Sequence, residues 1–183
     1  MTCIAGLVYE NEVWIGGDSA GVGGWDLRIR KDTKVFKVNG RFLIGYTSSF
    51  RMGQLLRFGF SPPEQKAKIP DYEYMCTAFI DAVRKRFKDG GYLEIKDNKE
   101  SGGCFLVGYK GRLYAIYESL QVAECVDNYD AVGCGKKYAL GSLFMTQNLD
   151  NPEQRILQAL KTAEYFSAGV RGPFIIEKLI HKK

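Results

Sequence analysis

The sequence predicts an α+β fold, and three observations support this prediction. Strand patterns and helix patterns come in separate runs along the 183 residues instead of alternating one by one. Short turns join neighbouring apolar runs, which is the pattern of antiparallel hairpins. Capping and breaker residues bound two amphipathic segments. With 45% hydrophobic and 26% charged residues, the composition is that of a globular protein, and we expect one domain over residues 1–183.

The first four strands are predicted as two hairpins. One turns around Glu10-Asn11-Glu12, and the other around Asn39-Gly40, the strongest short hairpin signal because both residues tolerate positive φ. A helix should follow, and Ser61-Pro62-Pro63 should end the helical pattern. In order, the predicted elements are strands over 4–9, 13–17, 34–38 and 41–46, a helix over 48–58 and a loop over 61–70.

A second helix is predicted to begin at Asp71, whose side chain can cap the first turn. It should end at Asp89-Gly90-Gly91, because a glycine can adopt the left-handed conformation that ends many helices. Apolar residues recur at helical spacing between these ends, and polar residues occupy the other face. The predicted apolar face comprises Tyr72, Met75, Cys76, Phe79, Ile80, Val83 and Phe87.

The second half of the chain is predicted to contain a hairpin and a strand that turns into a helix. The hairpin joins residues 104–109 to residues 112–117 about Lys110-Gly111. Residues 131–135 are rich in glycine and indicate a turn from a strand into a helix. That helix should end near Met145.

The last helix has the clearest start. Asn151 is a favoured N-cap, Pro152 suits the first turn, and Gln154 stands at the position of a capping box. The helix should extend to about Phe166, and residues 174–180 should form a final strand.

The residue types exclude several classes of function. The only histidine, His181, lies near the C-terminal end, so neither a histidine-based hydrolytic triad nor a histidine-ligated zinc site is expected. The net charge of +5 comes without a nucleic-acid-binding motif. No apolar run of about eighteen residues predicts a membrane span. We therefore expect no metal or other cofactor, and neither nucleic acid nor a membrane as a partner.

The cysteines indicate a reduced environment. They are odd in number and form no Cys-x-x-Cys pair, which disfavours a disulfide framework and a zinc ribbon. The first residues lack the basic and apolar regions of a secretory signal. We therefore expect a cytoplasmic location. The five cysteines are Cys3, Cys76, Cys104, Cys125 and Cys134.

The strongest functional signal is the spacing of three residues near the start of the chain. Asp18 follows Thr2 by sixteen residues, and Lys34 follows Asp18 by sixteen more. Once the peptide bond before Thr2 is cleaved, this residue carries a free α-amine beside its hydroxyl, so it supplies both nucleophile and base. An α-amine has an ordinary pKa of about 7.7–8.0, and a nearby ammonium would lower it. Together the groups form a hydrolytic set that needs no histidine.

Several motifs in order give the chain a family resemblance. They are Thr2-Cys3-Ile4, Gly16-Gly17-Asp18-Ser19, Lys34-Val35, Leu43-Ile44-Gly45 and Ala131-Val132-Gly133-Cys134-Gly135. The chain resembles the proteasome β-subunit family of N-terminal-nucleophile (Ntn) hydrolases, and within that family its HslV type. The late pair of helices and the final strand also fit, so the resemblance covers nearly the whole chain.

The resemblance implies both a fold and an activity. The fold would be a four-layer αββα sandwich of the Ntn-hydrolase type. The activity would be that of a threonine-type endopeptidase, hydrolysing peptide bonds in a homo-oligomeric double ring. Its substrates would be peptides or unfolded proteins, and an AAA+ ATPase unfoldase is among the candidate partners.

The resemblance also assigns roles to five residues. Thr2 would be the nucleophile with its own amine as general base, Lys34 would lower the pKa of that amine, and Asp18 would hold Lys34. The backbone N–H of Gly45 would supply the oxyanion hole. The family usually has a serine at the position of Cys134, where it helps to position the amine, and a thiol is a weaker hydrogen-bond donor.

A substrate pocket follows from strand alternation together with the resemblance. Its predicted residues are Gly21, Asp32, Phe36, Leu43 and Thr47. A carboxylate at Asp32 would favour basic side chains in the substrate. Two other functions stay open, namely an Ntn amidohydrolase acting on a small amide and a catalytically silent subunit that keeps the fold for assembly.

Overall fold

The computed structural model describes residues 1–181 and has the predicted α+β character. A π-helical segment, Met75–Phe79, joins the second helix to the third without a break. The helices are α1 (Phe50–Phe58), α2 (Asp71–Tyr74), α3 (Ile80–Asp89), α4 (Lys136–Met145) and α5 (Pro152–Phe166). The strands are β1 (Cys3–Tyr9), β2 (Glu12–Gly17), β3 (Ala20–Gly23), β4 (Asp26–Ile29), β5 (Val35–Val38), β6 (Phe42–Tyr46), β7 (Glu94–Lys96), β8 (Lys99–Ser101), β9 (Phe105–Tyr109), β10 (Arg112–Ile116), β11 (Val122–Glu124), β12 (Tyr129–Gly133) and β13 (Ile175–Ile180).

The strands form two antiparallel sheets and two separate hairpins. One sheet has the order β12-β1-β2-β13, the other has the order β11-β10-β9-β6-β5, and β3-β4 and β7-β8 are the hairpins. The strands β5 and β13 are in contact at one side of the molecule, and β10 contacts β12 towards the other. Asn39 and Gly40 both have positive φ, as the predicted tight turn requires.

Three hydrophobic clusters show how the elements stack. One lies between the two sheets and contains Ile4, Ile15 and Leu43. A second lies between the five-stranded sheet and α1 to α3, and a third between the four-stranded sheet and α4 and α5. Gly45 faces the first cluster, where an added Cβ would come 2.6 Å from both Ile4 and Ile15. A glycine here is therefore required by the close packing of the sheets.

The helical segment over residues 71–89 differs from the prediction in two ways. Asp71 does not cap the helix; its carboxylate accepts hydrogen bonds from Gln65 and Lys110 instead. Tyr72 and Cys76 are exposed, although both were predicted to lie on the apolar face, and Tyr74, which was not assigned to that face, is buried. The π-helical segment explains this change, because one extra residue in a turn rotates the preceding residues relative to those that follow.

Several short strands were not predicted. The β3-β4 hairpin contains three glycines and β4 is exposed along its whole length, so it lacks the alternation of a half-buried strand. The strands β7, β8 and β11 have three residues each, which is too short for a periodic signal. Within residues 1–181, no helix combines the length and apolar character needed to cross a membrane.

Candidate active site

Four strand ends meet at one end of the molecule and bring the predicted catalytic residues together. Thr2 directly precedes β1, Asp18 follows β2, Lys34 precedes β5, and Cys134 follows β12. The register places Cys3 opposite Gly133 and Ile4 opposite Gly17. This pairing fixes Asp18 and Cys134 on either side of Thr2, so residues far apart in the sequence become neighbours.

Lys34 is the centre of the polar network. Its ammonium donates to the Thr2 hydroxyl at 2.7 Å, to the Asp18 carboxylate at 3.0 Å and to the Ala20 carbonyl at 2.6 Å. These three acceptors match the three N–H bonds of an ammonium, so the orientation of the Lys34 ammonium is fixed. Lys34 is only 2% exposed, and burial lowers its pKa, while the charge of Asp18 opposes that shift.

The Asp18 carboxylate is buried and accepts four hydrogen bonds. Besides Lys34, it accepts backbone N–H bonds from Cys3 at 3.0 Å, Ala20 at 2.9 Å and Arg171 at 3.4 Å. Four donors satisfy the hydrogen-bonding capacity of this buried carboxylate. Asp18 therefore holds Lys34 in place and also connects the chain before β13 to the start of β1.

Thr2 has a polar contact on each of its reactive atoms. Its hydroxyl donates to the carbonyl of Met1, and its backbone nitrogen lies 3.3 Å from the Cys134 sulfur. That sulfur is 3.4 Å from the hydroxyl of Ser167, a residue to which the sequence analysis assigned no role. Gly133 has φ +99°, and a Cβ there would meet the Thr2 carbonyl oxygen at 2.2 Å, so the approach of β12 requires glycine.

A small cavity opens beside Thr2. Its volume is about 70 Å³. The predicted pocket residue Thr47 is part of its wall. Thr2 and Lys34, which were predicted as catalytic residues, line it as well. The sequence analysis missed the remaining residues, although Ser48 and Ser49 lie between β6 and α1, where the chain changes from strand to helix. The cavity is lined by Met1, Thr2, Val22, Lys34, Tyr46, Thr47, Ser48, Ser49 and Phe50.

The other predicted pocket residues lie elsewhere. Gly21 lines a neighbouring concavity of about 370 Å³ on the β3-β4 hairpin. Phe36 belongs to the cluster under the helices and Leu43 to the cluster between the sheets, so neither lines the cavity at Thr2. Strand alternation failed for them because β6 is buried on both faces, and burial then gives no indication of which face lines a site.

Asp32 does not supply a free negative charge to the cavity. Its carboxylate accepts two hydrogen bonds from Arg30, at 2.7 and 2.8 Å. These bonds hold the pKa of Asp32 below its ordinary value. The Arg30 guanidinium in turn lies 3.9 Å from the centre of the Phe50 ring. The structure therefore gives no support to a preference for basic substrate side chains.

The geometry suits nucleophilic chemistry at the Thr2 hydroxyl. A buried ammonium 2.7 Å from that oxygen stabilises negative charge on it. Gly45 lies in β6 between Val35 and Leu106, and its role in an oxyanion hole stays a prediction. Among residues 1–181, no group of three or more His, Cys, Asp or Glu side chains is placed to hold a metal ion.

Comparison with solved structures shows which fold this is. Across the whole length of both chains, the structure superposes with BPH of Thiobacillus denitrificans in complex with epoxomicin at a TM-score of 0.82 and 15% identity. Eukaryotic HslV from Trypanosoma brucei gives a TM-score of 0.69 at 16% identity, with 98% of this chain and 100% of that chain covered. Anbu (ancestral beta-subunit) from Yersinia bercovieri gives 0.66 at 15%, with coverage of 98% and 82%. No protein-family model and no curated protein sequence matches the chain.

The resemblance inferred from the sequence is thereby confirmed at the level of the fold. The chain has the proteasome-β-like Ntn-hydrolase fold of these proteins. At identities of 15 and 16%, the likeness concerns the fold alone, and the chemistry has to be argued from the residues around Thr2.

Proposed function

We propose that the protein is a threonine-type endopeptidase built on a four-layer αββα sandwich, with residues 1–183 forming a single domain. The observation that carries the proposal is the contact of the Lys34 ammonium with both the Thr2 hydroxyl, at 2.7 Å, and the Asp18 carboxylate, at 3.0 Å. A hydroxyl held by a buried, fixed ammonium is an activated nucleophile. The strand register that creates this contact is described above.

The proposed reaction begins when the peptide bond before Thr2 is cleaved, which converts the Thr2 nitrogen into an amine. The neutral amine takes the proton of the Thr2 hydroxyl, directly or through a water. The oxygen attacks the substrate carbonyl, the bond from carbon to the leaving nitrogen breaks, and that nitrogen takes the proton from the Thr2 ammonium. Water then hydrolyses the ester with the amine again as base.

Lys34 and Cys134 would support these steps in different ways. The Lys34 charge disfavours protonation of an amine beside it and stabilises the alkoxide. The Cys134 sulfur, 3.3 Å from the Thr2 nitrogen, would hold the amine in position. The backbone N–H of Gly45 is part of the proposal as the donor to the oxyanion.

Assembly and cellular context belong to the same proposal. The names of two structures with this fold include HslV and an ancestral beta-subunit. We therefore propose a homo-oligomeric double ring that acts on peptides or unfolded proteins, with an AAA+ ATPase unfoldase as a candidate partner. The five cysteines are free thiols, which is consistent with a cytoplasmic location.

A second candidate function follows from the size of the cavity beside Thr2. The cavity measures about 70 Å³ with Met1 in its wall, and a site that stays this small after cleavage before Thr2 would admit only a small amide, which suits an amidohydrolase. The two functions differ in their products and in their state of assembly. Cleavage of an unfolded protein by an oligomer supports the peptidase, whereas turnover of small amides alone by a monomer supports the amidohydrolase.

The deciding experiment compares substitutions at Thr2. Thr2→Ala should reduce cleavage of fluorogenic peptides to background, because it removes the nucleophilic oxygen, and Thr2→Ser should retain part of the activity. Thr77→Ala is the matched control, since Thr77 is exposed and far from the site in the fold. Mass spectrometry should find that the active protein begins at Thr2.

Epoxomicin provides an independent readout, because BPH of Thiobacillus denitrificans forms a complex with it. It should bind the wild-type protein and the Thr77→Ala control and should fail to bind Thr2→Ala. Full turnover by Thr2→Ala, or by a protein that keeps the residue before Thr2, would refute the mechanism.

A further inference from the structure

The β3-β4 hairpin stands at one edge of the molecule with apolar side chains in solvent. Trp25 at its turn is fully exposed, and Leu27 and Ile29 are about half exposed. An isolated two-stranded hairpin is marginally stable in water. Neighbouring exposed apolar side chains of this size mark an interaction surface. We call residues 23–31 the hairpin arm.

The hairpin arm also presents unpaired positive charge. Arg30 is engaged by Asp32. Arg28 and Lys31 make no salt bridge to any residue in the described range 1–181. A partner that fits this arm should therefore combine an apolar or aromatic surface with negative charge.

A cavity of about 550 Å³ between β11, β12 and α4 has this character. Tyr117, Tyr129 and Phe144 contribute aromatic surface, and Asp127 and Asp130 contribute carboxylates. We call it the acidic cavity. Val126, in the turn next to Asp127, is almost fully exposed, which extends the apolar surface beyond the cavity.

Lys136 also lines the acidic cavity, but neither Asp127 nor Asp130 forms a salt bridge with any residue of the described part of the chain. Asp130 is half-buried, and burial raises the pKa of its carboxyl. Glu124 is different, because Arg112 already binds it through two hydrogen bonds. The charge of Lys136 opposes the rise in the pKa of Asp130, so Asp127 is the carboxylate that a cation from outside the chain would complement.

The arm and the cavity lie at opposite edges of the sheets. The arm connects β2 to β5, and its base is held by the segment before β13 through Ser19, which bonds to Arg171 and Pro173. The cavity lies at β11 and β12, the strands at the other end of each sheet order. Complementary surfaces on opposite edges produce a head-to-tail contact, which closes into a ring when the rotation permits.

We infer that the hairpin arm of one copy of this chain seats Trp25 and Arg28 in the acidic cavity of the next copy. Trp25 packs against the aromatic side chains, and Arg28 pairs with Asp127. This contact rests on the ring of the proposed function and identifies the surfaces that form it.

The contact also has a consequence for the active site. The hairpin arm lines the concavity next to the cavity at Thr2, and Phe50 belongs to both. A neighbouring copy docked on the arm would therefore stand beside the path of the substrate.

Charge reversal tests the contact on the full-length protein. Arg28→Glu and Asp127→Lys should each reduce the mass measured by sedimentation velocity from that of the ring to that of smaller species. The double variant restores an opposite-charge pair at each contact and should recover the ring. Lys88→Glu, an equal change of charge at an exposed site on α3, should keep the wild-type mass.

The outcomes separate this contact from the peptidase proposal, because mass and turnover are measured independently. Single variants that assemble like the wild type, a double variant no larger than the single ones, or a monomeric wild type would each overturn the contact. Circular dichroism of the single variants should match the wild type; if one of them fails to fold, Trp25→Ala, which should likewise reduce the mass, tests the same contact. An assembled, inactive wild type would leave the contact standing and refute only the peptidase.

Discussion

Replacing Lys34 with methionine distinguishes the contribution of the Lys34 charge to stability from its contribution to catalysis. The substitution keeps most of the apolar stem and removes the nitrogen that binds Thr2, Asp18 and Ala20. The Asp18 side chain is fully buried, so the substitution leaves a carboxylate in a dry site without its counter-ion. Breaking a buried pair by removing one partner costs about 3–5 kcal/mol.

The hydrogen bonds that Asp18 keeps should hold the loss of stability near the lower end of this range. Three backbone N–H groups, from Cys3, Ala20 and Arg171, still bond to the carboxylate. We therefore expect Lys34→Met to lower the free energy of unfolding by about 3 kcal/mol. In urea titration, this change should move the midpoint and leave the slope unchanged.

A second substitution, Asp18→Asn, tests whether the unpaired carboxylate causes this loss of stability. Asp18→Asn removes the stranded charge, so Lys34→Met combined with Asp18→Asn should be more stable than Lys34→Met alone. Both proteins should lack peptide turnover, since neither has a cation at the Thr2 hydroxyl. If Lys34→Met unfolds at the wild-type midpoint, or if adding Asp18→Asn destabilises it further, the buried charge pair does not have the energetic role assigned to it.

Two further predictions concern Cys134 and the pH dependence of stability. Cys134→Ser should hold or raise the turnover rate, because a hydroxyl makes a stronger hydrogen bond than a thiol. Cys134→Val should lower the turnover rate. If Cys134→Val turns over at the wild-type rate and a bulky thiol reagent does not inhibit the wild type, Cys134 has no role in the reaction. The pKa of Lys34 is lower in the folded protein than its ordinary value of 10.5. Between these two pKa values, the unfolded chain binds more protons than the folded one. The contribution of Lys34 to stability therefore rises with pH in this window. Urea titrations across the alkaline range should show a steeper rise for the wild type than for Lys34→Met, and equal slopes would contradict the assigned burial effect.

The sequence was most informative where a local pattern decides the structure. The Asn39-Gly40 turn and the Asn151 cap depend on nearby residues only, and both lie where they were predicted. The spacing of Thr2, Asp18 and Lys34 also predicted a constellation that the strand register creates. In these cases, short-range chemistry and the long-range fold point to the same arrangement.

The sequence was least informative where the packing of whole layers decides which side chains line a site. Leu43 lies on β6, which is buried along its whole length, so alternation could not separate core from pocket there. Phe36 lies on the face of β5 that packs against the helices. Tyr74 is buried and Tyr72 is exposed because the π-helical segment changes the helical phase, and no pattern in the sequence predicts that segment. The β3-β4 hairpin was missed because its exposed residues carry no burial pattern.

The hydrogen bonds of Asp18 bear on how related chains should be interpreted. Its carboxylate joins the starts of β1 and β3 to the segment before β13, so its loss would damage the scaffold as well as the chemistry. A descendant that had abandoned catalysis would still be selected to retain Asp18, and with it the counter-ion Lys34. Under the proposed mechanism, the Asp–Lys pair in a related chain would therefore indicate the architecture, whereas loss of the hydroxyl at position 2 would indicate loss of the activity.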